Sequence, residues 1–184
     1  VTLTSVDKKK LIEDGVKSEI AVSPACVSPN IRNYEFKPAS DRITFVGAYG
    51  HYPNRNGVYW FLEEVWPKVL EKYPNLKFSI IGKWPSSEQK IIEGKYKGVV
   101  FEGFVEDLGE TLQGSIMVVP ILIGSGMRMK ILEAANYGCP FISTSVGVEG
   151  LDFENGEHCF IADGAESFAN QLSNLLSDSN MQQQ

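Results

Sequence analysis

The sequence predicts an α/β protein, a doubly wound parallel sheet of about six strands with helices on both faces. Three observations carry that expectation. Short β-branched runs such as residues 43–47, 99–101 and 115–120 are apolar on both faces, as strands buried in a parallel sheet are. They alternate with stretches of helical period. Glycines close them, at Gly47, Gly82 and Gly103.

Taken in order, residues 1–4 read as a short strand. Ser5 reads as the N-cap of a helix through about Asp14, stopped by Gly15, and residues 19–23 as a second short strand. Pro24, Pro29, Asn30 and Pro38 make a stretch rich in breakers. Residues 1–40 are therefore expected to be a lead-in or interdomain link, and residues 41–178 the domain proper. Strand one is 43–47, followed by a loop over 48–54. A helix over about 57–73 carries the stripe Val58, Phe61, Leu62, Val65, Trp66, Val69 and Leu70. Strand two (76–81), a weaker helix (86–93), strand three (99–101), a short helix (107–113) and strand four (115–120) follow. The next helix is stopped by Gly138 and Pro140. Strands five (141–144) and six (158–162) and a helix over 165–176 complete the domain. Residues 179–184 read as a polar, frayed tail.

Composition bounds the class. The chain has 184 residues, 43% hydrophobic and 22% charged, as soluble globular domains do. A net charge of −6 argues against general binding of nucleic acid or anionic membranes. No apolar run is long enough to span a bilayer, and none reads as a signal peptide. Cys26, Cys139 and Cys159 are widely spaced, without a CxxC or Cys/His cluster, which predicts free thiols and neither structural zinc nor a disulfide framework. The first residue is Val1, and a piece of a longer protein is expected.

The stretch from Val118 to Pro140 reads as strand, small-residue turn, helix and stop. Gly124, Ser125 and Gly126 let the backbone turn tightly and approach a ligand, with Ser125 as N-cap. Met127, Ile131 and Ala135, with Ala134, fall at helical spacing and are expected to face the sheet. A helix that starts straight after such a turn offers free N–H groups and its dipole to an anion. Lys130 and Glu133 share a face, Lys130 within reach of that anion and Glu133 one turn deeper, able to accept from sugar hydroxyls. The plain alternative is a solvated pair worth about 0.2–0.5 kcal/mol. In the strand order 3-2-1-4-5-6 ligands bind at the carboxyl ends of the first and fourth strands, here residues 47–50 and 120–126.

Other residues carry less. His51 reads as a surface-loop histidine and His158 as structural. Arg55 and Arg128 are candidates to assist an anion, Arg128 the better placed. Phe104 and Val105, after strand three, either border a base or, for Phe104, belong to the core. Trp60, Trp66 and Trp84 form no motif. No GxGxxG, Walker lysine or Ser/His/Asp constellation is present.

Gly124-x-Gly126-Met127-Arg128-x-Lys130-Ile131-Leu132-Glu133-Ala134, with Gly138-x-Pro140 and Ser143-Thr144, resembles the Rossmann-like, donor-binding C-terminal half of the GT-B retaining glycosyltransferases of family 4. Phe45-Val46-Gly47 with Pro53-Asn54 and Trp60-Phe61, Phe101-x-Gly103-Phe104-Val105 and Val118-Val119-Pro120 match the punctuation of that domain. Ser5-x-Asp7 and Pro24 resemble the end of the N-terminal domain and the linker. The resemblance spans nearly the whole chain. It implies transfer of a sugar from a UDP- or GDP-linked donor to an acceptor hydroxyl, with retention and with no metal or cofactor. Lys130, with Arg128, would neutralise the diphosphate, Glu133 would bind the ribose, and Gly47 and residues 124–127 would meet the donor. Phe104 and Val105 would line the base pocket. It also implies an acceptor held by the missing N-terminal domain, and bacterial surface polysaccharide or glycoconjugate synthesis. The expected place is the cytoplasm or the inner face of the membrane.

Two departures stand out. The first of the family's paired glutamates falls on Ser125, and Asn54, Arg55 and Asn56 stand near where many members carry a basic pair. Because the acceptor site is expected in the missing N-terminal domain, this fragment is expected to bind donor weakly at best and not to turn over. The competing readings are a non-catalytic nucleotide- or sugar-phosphate-binding module of the same fold and a GT-B UDP-sugar epimerase. An NAD enzyme is disfavoured because no acidic residue closes strand two at Ile81-Gly82-Lys83.

Overall fold

A computed structural model describes residues 1–27, 36–39, 41–124 and 126–183. Six strands form one parallel sheet in the order β3-β2-β1-β4-β5-β6. They are β1 (Arg42–Val46), β2 (Lys77–Ile81), β3 (Val99–Gly103), β4 (Ile116–Val119), β5 (Phe141–Ser143) and β6 (Phe160–Ile161). This is the expected doubly wound, Rossmann-like order, and it makes β1 and β4 neighbours, paired at Ile43–Ile116 and Thr44–Met117. The chain leads outward from β1 and from β4 in opposite directions, and the right-handed rule for parallel crossovers then puts helices on both faces. The buried hydroxyls of Thr44 and Ser115 satisfy each other at 2.5 Å across that central pair.

The helices are α1 (Ser5–Glu13), α2 (Tyr52–Trp60), α3 (Trp66–Lys72), α4 (Ser86–Lys95), α5 (Leu108–Leu112), α6 (Met129–Asn136), α7 (Ala165–Ser177) and α8 (Ser179–Gln183). A π turn, Phe61–Val65, joins α2 to α3 into one rod. Pro67 explains it: without an N–H it cannot take up the α ladder, and the Trp66 amide bonds back five residues to Phe61 O instead. Trp66, Phe61, Phe78 and Phe168 are fully buried and touch ring to ring, joining this rod to β2 and α7. Each such side chain contributes about 1.5–3 kcal/mol by burial.

Several expectations need correction. The rod begins at Tyr52, not near Gly57, because Pro53 sits in its first turn, where a missing N–H costs nothing. Thr4, not Ser5, caps α1: its hydroxyl accepts from Asp7 N at 3.0 Å. The two strands expected before residue 24 reduce to one bridge, Thr2 to Val22. The polar tail is helical in α8. Gln182 is buried there, accepting from Ala39 N at 2.7 Å and donating to Ala39 O at 3.0 Å and Leu175 O at 2.6 Å. Pro29 and Asn30 lie outside the described residues. No described helix is long and apolar enough to cross a membrane.

Candidate functional site

Two arms leave the sheet at the carboxyl ends of β1 and β4 and meet. The first runs from Gly47 into α2, whose first turn buries Asn54. The second runs from Pro120 to Arg128 and enters α6. Where α2 passes the second arm, Gly57 lies so close that a Cβ would fall 2.3 Å from Pro120 O. The second arm is tied down from the end of β5, where the hydroxyl of Thr144, the next residue, donates to Ile121 O and accepts from Gly147 N at 3.0 Å.

Lys130 projects from the first turn of α6 into the junction. Its Nζ donates to Asn54 Oδ1 at 2.8 Å and lies 4.2 Å from the Phe45 ring centroid. Burial pushes its titration down to about 7, the Arg128 guanidinium pushes the same way, and Glu133 opposes both. Arg128 is itself buried, with Nη1 donating to Gly126 O at 2.6 Å; burial lowers its pKa, and Glu149 opposes that. Two basic side chains, one buried and one partly buried, are thus withdrawn from water at a helix start, an arrangement that an anion would relieve.

The structure brings Gly47, Gly124, Gly126, Arg128 and Lys130 to this junction, with Glu133 one turn further along α6 and half-buried. Gly47 is covered by the Asn54 amide, and Gly124 lies against Arg128 and Pro53, where a Cβ would fall 3.1 Å from Nη2 and 3.3 Å from Cγ. Ser125 lies outside the described residues. The capping expectation made for it does not hold: α6 starts at Met129 and its N-cap position is Arg128. Met127 precedes the helix and, instead of facing the sheet, lines a cavity of about 400 Å³ with Thr4, Leu132 and Phe153. Ile131 and Ala134 make the buried face, while Ala135 is exposed.

Phe104 is 86% exposed on the turn after β3, which removes its core reading. Three strand spacings, roughly 14 Å, separate β3 from β4 along the same edge. Between them Trp84 packs on Tyr49 and Phe101 at 5.2 and 5.5 Å and donates to Gly47 O at 2.8 Å. Val105 is half-buried beside Phe104. His51 occupies the N-cap position of α2, exposed, and His158 accepts from Glu154 N at 3.1 Å, a local structural bond. The arms depend on Asn54, Gly57, Thr144 and Trp84, none of them read as site residues from sequence. Pro53 was the available signal for Asn54, since proline in a first turn starts a helix.

The chain is similar to known proteins in sequence and in fold. A protein of Klebsiella pneumoniae described as an uncharacterized 44.6 kDa protein in the cps region is 31% identical over 140 residues, covering 72% of this chain and 36% of that protein. The chain therefore spans about a third of that relative's length. The fold of a variant of S. aureus TarM, solved with fondaparinux, α-GlcNAc-glycerol and UDP, superposes with a TM-score of 0.82 at 13% identity, over 98% of this chain and 37% of that one. The C-terminal domain of the group 1 glycosyl transferase LpcC from Francisella tularensis superposes with a TM-score of 0.62 at 24% identity, over 79% of this chain and 80% of that one. The sheet order, the paired arms and a match of residues 40–178 to the family model described as "Glycosyl transferases group 1" lead to one assignment, and the chain belongs to that glycosyltransferase family.

Proposed function

We propose that the chain is the donor-binding half of a retaining, metal-independent glycosyltransferase that takes a nucleoside diphosphate sugar. The observation that carries this is the Lys130 ammonium, held at the sheet edge by a neutral carbonyl and an aromatic ring. A lysine in such contacts is suited to receive an anion. As the bond from sugar to diphosphate breaks, charge builds on the departing phosphate, and Lys130 and Arg128 offset it without having to reorganise. The amides of the Gly124–Gly126 turn meet phosphate or sugar, Glu133 accepts from the ribose hydroxyls, and Phe104 with Val105 borders the base across the edge. UDP in the TarM complex is consistent with a nucleoside diphosphate here.

Residues 1–40 are the end of the N-terminal half and the linker. The acceptor binds in that half, so this stretch alone does not turn over. The cps-region relative supports a role in bacterial surface polysaccharide synthesis, and we place that assembly in the cytoplasm, with hexosyl donors.

Calorimetric titration with UDP, GDP and NAD, repeated on Lys130→Ala and Glu133→Ala, tests the assignment. One nucleoside diphosphate is expected to bind, about tenfold or more weaker in both variants, as loss of a hydrogen bond to a charged group implies. Binding of NAD alone, or nucleoside diphosphate binding that neither substitution disturbs, overturns it.

A further inference from the structure

The Asn54 amide is fixed from three directions. Nδ2 donates to Ala48 O at 3.2 Å. With that end committed, Oδ1 faces the other way and accepts from Lys130 Nζ at 2.8 Å. Gly47 leaves the space in which the amide lies, since a Cβ there would fall 2.6 Å from Nδ2. An ammonium has only donors and needs an acceptor, so the orientation of the amide is determined on chemical grounds.

We propose that Asn54 is a positioning residue for the diphosphate of the donor, aiming the Lys130 ammonium at the carboxyl edge of the sheet while leaving its charge for the ligand. The inference rests on the donor-site reading above. A carboxylate at this position would hold the lysine more tightly, but it would also neutralise it and repel phosphate. A side chain without an acceptor would leave the ammonium free to sample several rotamers and short of one bond. A carbonyl does neither. The charged groups acting on Lys130 are Arg128, from the arm before α6, and Glu133, on α6 itself. From β1 and α2 the groups in contact are the Phe45 ring and the Asn54 carbonyl, both neutral.

Asn54→Asp and Asn54→Ala separate this role from a merely structural one. Both variants lose the bond that Nδ2 donates to Ala48 O, so a merely structural role damages the two without raising the Lys130 midpoint, whereas a charge-sparing role makes Asp the more damaging for binding and raises it. We would follow the Lys130 ammonium by nitrogen NMR from mildly acid to alkaline pH, and titrate UDP and GDP into both variants and into Lys130→Ala. Asn54→Asp is expected to raise the Lys130 midpoint by about one pH unit or more and to weaken nucleotide binding about tenfold or more. Asn54→Ala should weaken binding less, with no rise in the midpoint. An unmoved midpoint in Asn54→Asp overturns the inference, whether or not nucleotide binds. So does binding that survives both Asn54 variants while Lys130→Ala abolishes it, an outcome that leaves the donor site standing. Undiminished binding by Lys130→Ala removes the donor site itself, and the role of Asn54 with it.

Discussion

The two arms at the carboxyl edge are alike in topology and opposite in chemistry. Each follows a central parallel strand and each opens a helix. The arm after β4 brings the ionisable side chains Arg128, Lys130 and Glu133. The arm after β1 turns an amide, a glycine and a backbone carbonyl to the same place. Its own cation, Arg55, is engaged elsewhere, over the Tyr49 and Tyr52 rings at 4.9 and 5.3 Å. In a site for an anion, one side therefore supplies charge and the other supplies the geometry that keeps the charge in place. Such a division avoids the cost of burying an ion pair that the ligand would then have to break.

The strongest way to break this comparison is to force the arms apart. In Gly57→Ala the new methyl would meet Pro120 O at 2.3 Å, and a backbone oxygen cannot swing aside as a side chain can. Overpacking of this kind should cost about 3 kcal/mol, read as a lowered urea midpoint. Gly94, exposed on α4 with nothing within 4 Å of an added Cβ, is the control. Gly94→Ala should stabilise by about 0.5–1 kcal/mol through helix propensity. Similar small effects at both glycines would mean that the arms are not clamped against each other.

The charged arm is sharpened by pH. Burial pushes the Lys130 ammonium down to about 7 in the folded chain, from the ordinary lysine value of 10.5 in an unfolded one. Between those limits the unfolded chain holds the extra proton, so this residue makes stability rise with pH. Lys130→Met removes the proton but keeps most of the volume. Its stability relative to the parent should be most favourable at and below pH 7 and should fall as pH rises toward 10.5. Denaturant midpoints of the two proteins across that window check it. A difference that stays constant with pH would show that the lysine is not desolvated. Ligand should reverse the trend, because phosphate favours the ammonium and binding then weakens above pH 7.

The same division explains what could be read in the sequence. The parallel sheet was legible because apolar runs such as 43–47 and 115–120 permit no exposed face, and its order because 3-2-1-4-5-6 is the common arrangement of six such strands. Lys130 and Arg128 were legible because a cation after a glycine turn has a local meaning. Asn54 was not: it is neutral, and its partner lies 76 residues away. The stripe from Val58 to Leu70 read as one unbroken helix because Pro67 falls off the stripe, so the π turn left no mark on the periodicity. The tail read as frayed because Gln182 is polar, and only the folded chain reveals the backbone of Ala39 and Leu175 that it satisfies.

Phe104 belongs to neither arm, and it measures how much of the ligand the arms hold alone. It is 86% exposed, so Phe104→Ala should change stability by less than about 0.5 kcal/mol. An exposed aromatic ring at the sheet edge is still a stacking platform, and a base stacked on such a ring is worth roughly 1–3 kcal/mol. Nucleoside diphosphate affinity should then fall between fivefold and about a hundredfold, with the urea midpoint unmoved. Inorganic pyrophosphate, which has no base, should bind the variant and the parent alike. A loss for both ligands would mean that truncation had disturbed the edge as a whole. Loss for neither would place the base away from β3, with Lys130, Arg128 and Asn54 holding the ligand by its diphosphate.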